Sequence, residues 1–169
     1  MTDDVNELEM AINIGLDCMK AARAKDAGWL LLSVFKLSKF PKYGTRYLAA
    51  MFFVGVARLM PRLKQDGFSV DDVAGGVKSN LEPWIDLPLD GIAQCINGVW
   101  DDDAPVSLPW FDSAIIMAAA GMEFINEEPG YLEFIHGGVR LDLISGQELS
   151  PDELVAEMTK HGVEPPTRK

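Results

Sequence analysis

The chain has 169 residues, is 48% hydrophobic and 24% charged, and carries a net charge of −11. This length suits one domain with a real core, and the apolar content argues against a disordered acidic chain. The longest apolar run, Tyr47–Ala57, falls well short of the roughly 20 residues that cross a bilayer, and Cys18 and Cys95 lack metal-type spacing, so they read as buried free thiols in a reducing compartment.

The predicted elements follow in chain order. From Val5 to Lys25 the apolar positions Val5, Leu8, Ile12, Leu16 and Met19 keep helical spacing, with acids at the start, where the helix dipole favours them. The segment Met1–Glu7, with acids at Asp3, Asp4 and Glu7, lacks the basic start of a secretory leader, so a cytoplasmic location is expected. After Gly28, Trp29–Phe40 is dense in Leu, Val and Phe and reads as a helix ended by Pro41. Thr45–Leu63 is apolar all round through its middle, the pattern of a central buried helix, with Arg58, Arg62 and Lys64 at its C-terminal end. Ser69 is placed to cap a short helix whose first turn holds Asp71 and Asp72. Leu89, Ile92, Ala93, Ile96 and Val99 form the stripe of a further helix with Pro88 in its first turn. A loop at Trp100–Val106 precedes another helix, from Ser107 to about Asn126.

Beyond Pro129-Gly130 the pattern changes. Tyr131–His136 and Val139–Ile144 flank Gly137-Gly138, and a two-residue glycine link between apolar runs predicts a β-hairpin over 131–144. In that register Glu133 faces Asp142, a like-charge pair. The fallback is a helix through His136 followed by an extended segment. Ser150, Pro151 and Glu153 form a capping box for a last helix, Leu149 can staple onto Leu154, and Gly162 supplies the stop. The expected fold is mainly α: one domain over 1–162 with about seven helices and one small C-terminal hairpin, then a flexible tail at 163–169.

Charge is sorted along this frame. Residues 18–64 hold Lys20, Arg23, Lys25, Lys36, Lys39, Lys42, Arg46, Arg58, Arg62 and Lys64 against Asp26 alone. From 65 to 157 only Lys78 and Arg140 stand among nineteen acids. Such segregation bears on partner choice and steering, not on the fold. The basic stretch reads poorly as a nucleic-acid footprint, because its aromatics are needed for the core and the whole chain repels phosphate.

No constellation builds a catalytic, metal or cofactor site. Glu133 and His136 have the Glu-x-x-His spacing of di-iron bundles, which require two such pairs and further carboxylates. His136-Gly-Gly lacks a nucleophile elbow to serve, and Cys95 has no basic neighbour in sequence to activate it. Asp101–Asp103 are consecutive and cannot all face one cation. The segment from Trp84 to Asp112 is different in kind: Trp84, Trp100, Asp101, Asp102, Asp103, Trp110 and Asp112 set hot-spot aromatics beside acids that steer a basic partner. The expected function is a non-enzymatic acidic module that binds a basic protein, as an inhibitor, an immunity- or antitoxin-type protein or a regulator. One alternative is self-assembly through the charge-complementary halves. Another is a small-ligand protein or enzyme using Glu133, His136 and Asp142.

Overall fold

The computed structural model describes residues 2–100, 108–125, 130–146, 149 and 151–160. Their regular elements are eight helices: α1 (Thr2–Arg23), α2 (Ala27–Leu37), α3 (Pro41–Gln65), α4 (Val70–Leu81), α5 (Leu89–Trp100), α6 (Trp110–Ile125), α7 (Tyr131–Ser145) and α8 (Pro151–Lys160). None is long and apolar enough to cross a membrane.

Local chemistry accounts for several of the boundaries. Lys25 takes φ 57° to turn the chain out of α1, and the Asp26 carboxylate then accepts from the Trp29 N–H at 3.0 Å to cap α2. Pro41 opens α3, where its missing N–H costs nothing, instead of closing the segment before it. Ser69 and Asp72 form a reciprocal capping box on α4. Ser150 and Gly162, expected at the two ends of α8, and the 163–169 tail lie outside the described residues.

The core is organised around α3 and α6. Residues Ala114 to Met122 are buried without interruption, the pattern of a helix enclosed on all sides. Gly121 brings α6 close to α3: a Cβ there would sit 3.6 Å from the Cα of Phe52. Gly55 does the same from α3, where a Cβ would meet Ile125 at 3.0 Å. Around this pair α1, α5, α7 and α8 pack on α3, while α2 and α4 pack on α6. All eight helices contribute buried residues to one apolar cluster.

The predicted hairpin over 131–144 is absent; the segment is helical and forms α7. Gly130, at φ 82°, starts it and Gly146, at φ 78°, ends it, while Gly137 and Gly138 are helical. Tyr131, Leu132, Ile135, Val139 and Leu143 are buried at helical spacing, so α7 presents a stripe to the rest of the core. A hairpin would have buried alternate residues and left a two-stranded ribbon without a third strand. The helix also removes the Glu133–Asp142 clash. Glu133 instead pairs with Arg23 of α1 at 2.9 Å, and Asp142 turns inward, 6% exposed, to accept from the Leu149 N–H at 3.1 Å.

Candidate interaction surface

The turn between α4 and α5 sets three exposed acids, Glu82, Asp86 and Asp90, among exposed apolar residues. The Trp84 and Ile85 N–H groups bond back to the Leu81 carbonyl at 3.0 and 2.8 Å, continuing the end of α4 as a tight turn. Leu87 is buried and anchors the turn from below. Pro83, Pro88 and Leu89 are left exposed, with Glu82, Asp86 and Asp90 exposed among them.

Lys78, the one Lys or Arg between 65 and 139, is used inside this turn. Its Nζ donates to the Leu87 carbonyl at 2.7 Å and to Asp86 at 3.1 Å, and lies 3.7 Å from Glu82. It therefore fixes the shape of the turn and neutralises only part of its charge. Asp90 accepts from Gln94 at 3.0 Å. Asp66 and Asp71 add exposed acids at the other end of α4. Asp72 is held below the usual carboxylate range by its bonds to the Ser69 backbone and hydroxyl, and so stays ionised.

Of the residues singled out in the sequence, Trp84 belongs to this turn. It is half-buried against the core, and its Nε1 is buried without a hydrogen-bond partner among the described residues. Trp110 has a different job. Its Nε1 donates to the Pro41 carbonyl at 3.2 Å and to the Thr45 hydroxyl, which ties the start of α6 to the start of α3. It also lines a cavity of about 350 Å³ with Thr45, Phe53, Cys95 and Met117. Asp112 is exposed in the first turn of α6, where the dipole favours it. Trp100 closes α5; its side chain and Asp101, Asp102 and Asp103 lie outside the described residues.

The alternative site divides. Glu133 and His136 share a face of α7, where the Tyr47 hydroxyl and His136 Nδ1 make a 2.8 Å hydrogen bond. Burial, followed by the nearby charges of Arg140 and Lys20, pushes His136 below the ordinary imidazole range. The Arg23 hydrogen bond holds Glu133 low, and Arg140 is joined to Glu9 at 2.6 Å. Asp142 does not join this group. It lines a separate cleft of about 190 Å³ with Arg46, Leu149 and Leu154. The polar seam thus holds α7 to α1 and α3. Cys18 and Cys95 are buried and pushed up to about 12 and about 11, so both thiols stay protonated at neutral pH. Among the described residues no three His, Cys, Asp or Glu side chains cluster as a metal site.

One surface was missed in the sequence. The outward face of α2 exposes Trp29, Leu31, Leu32 and Phe35, the last at 61%. An all-apolar helix reads as buried all round, and nothing in its periodicity marks which face stays bare.

Comparison with protein-family models, with curated proteins and with solved structures finds no match to this chain.

Proposed function

We propose that this chain is a partner-binding module that receives a basic protein on the α4–α5 turn, in the manner of an inhibitor, an immunity-type protein or a regulator. One observation carries the reading. Exposed Pro83, Pro88 and Leu89 stand among Glu82, Asp86 and Asp90, while Lys78, the one Lys or Arg between 65 and 139 in the sequence, is bonded into the turn itself. An apolar centre with a charged rim is the anatomy of a protein contact, and rim acids accelerate encounter with a basic partner. Clamping by Lys78 lowers the ordering cost of binding, because the turn is shaped in advance. Asp112 is a further exposed acid, in the first turn of α6. Trp110 supports the scaffold instead, since its indole N–H is already bonded to α3.

The test is capture of the basic partner with wild-type chain and with Glu82→Lys/Asp90→Lys. Both positions are exposed and neither is the main partner of Lys78, so the fold should persist. Wild type should retain a stoichiometric partner at about 0.1 M salt and lose most of it at about 1 M, where the screening length falls to about 3 Å. The double variant should lose it at both. Equal retention by the two chains would refute the proposal.

A further inference from the structure

We infer that the outward face of α2 is a docking surface for the α4–α5 turn of a second copy of this chain, joined head to tail. The inference rests on the reading of that turn as a docking site, and names an occupant for it.

Helix α2 has eleven residues, and Leu30, Ser33, Val34 and Leu37 face the core. The opposite face is as apolar as the buried one. Leu31 and Phe35 lie one helical turn apart, Leu32 lies three residues from Phe35, and Trp29 lies three from Leu32, so the four side chains form one continuous surface. Their exposures run from 39% at Trp29 to 61% at Phe35, and four large apolar groups on two adjacent turns are more than scattered surface residues.

The charges around this face select the occupant. Lys25, Lys36, Lys39 and Lys42 are exposed around α2, and none is in an ion pair with a carboxylate of the described residues. Between residues 24 and 65 the one acid is Asp26, which is spent on capping α2. A partner must therefore bring an apolar centre with an acidic rim. The 82–90 turn of the same chain has that composition: Pro83, Pro88 and Leu89 with Glu82, Asp86 and Asp90. Within one copy α2 packs on α1 and α6, and α4 on α5 and α6, so the two surfaces sit on elements that share α6 as a neighbour but are not packed on each other. Two copies can make the match. The contact joins different patches, so it is heterologous: one copy keeps a free turn, the other a free α2 face, and the pair can grow further.

The mixing experiment decides. One variant, Leu32→Gln/Phe35→Gln, removes the α2 face; another, Glu82→Lys/Asp90→Lys, removes the turn. All four positions are exposed, and circular dichroism checks that both variants stay folded. In sedimentation velocity, wild type should grow with concentration beyond the 18.6 kDa of one chain. Each variant alone should remain a monomer. An equimolar mixture should form a 1:1 dimer and stop there, because only one intact pair of patches remains. Two results would overturn the inference: a wild type that is monomeric at every concentration, whether or not it binds phosphatidylserine vesicles through α2, or a turn variant that still dimerises through two α2 faces. If wild type is monomeric yet the turn variant loses its captured basic partner, the inference fails and the proposed function stands.

Discussion

Gly137→Ala separates the two conformations open to residues 131–144. In α7 this glycine is helical, and a Cβ added there meets nothing within 4 Å. Glycine in a helix interior costs roughly 0.5–1 kcal/mol relative to alanine, because the unfolded chain loses more freedom on folding. With no contact to offset the gain, Gly137→Ala should stabilise the protein by about that amount. For a chain of this size that is a rise of about 1–4 °C in Tm. Urea unfolding followed by far-UV circular dichroism measures it, with an unchanged denaturant slope showing that only stability has moved. Gly146→Ala is the internal control. Gly146 sits at φ 78° and its Cβ would also meet nothing, so alanine there carries the backbone cost alone, about 1–2 kcal/mol of destabilisation. In a two-residue hairpin the glycines would themselves need positive φ. If Gly137→Ala loses as much stability as Gly146→Ala, the helical account of α7 is refuted.

Gly15→Ala should go the other way from Gly137→Ala. Its Cβ would lie 2.7 Å from Cε1 of Tyr47, a ring that is fully buried and tied to His136, so overpacking of about 1–3 kcal/mol should outweigh the helix gain. Net stabilisation in urea unfolding would contradict that packing. His136 should make stability pH-dependent. Its folded pKa is depressed below 6.5, so the unfolded chain binds the proton more readily, and the contribution present above pH 6.5 is lost as pH falls through that value toward the folded pKa. The difference in unfolding free energy between wild type and His136→Gln should shrink as pH drops from about 7.5 to 5.5; a difference independent of pH would show that His136 is not held neutral.

The helices and several of their ends are legible in the residues because they depend on neighbours a few positions away. The Ser69 cap, the apolar stripes of α5 and α6 and the all-round apolarity of α3 are local patterns that mark a helix in the residues themselves. The acidic turn at 82–90 was also within reach, since its Glu, Asp, Pro and Leu are consecutive. Gly137-Gly138 misled because the same dipeptide serves a hairpin and a helix, and the choice depends on whether a stripe or an alternating face can be buried. Trp84 and Trp110 look alike in sequence. Only the fold gives Trp110 the Pro41 carbonyl and the Thr45 hydroxyl, 69 and 65 residues away, and leaves the Trp84 indole nitrogen without a bond among the described residues. The order of the residues by itself determined that the chain is mainly helical and that its charge is divided along it. Which apolar helix lies at the centre and which keeps a bare face was decided by tertiary packing: α6 is enclosed, while α2, equally apolar, is covered on one side only. Burial belongs to the assembled set of helices, and the periodicity of a single one does not contain it.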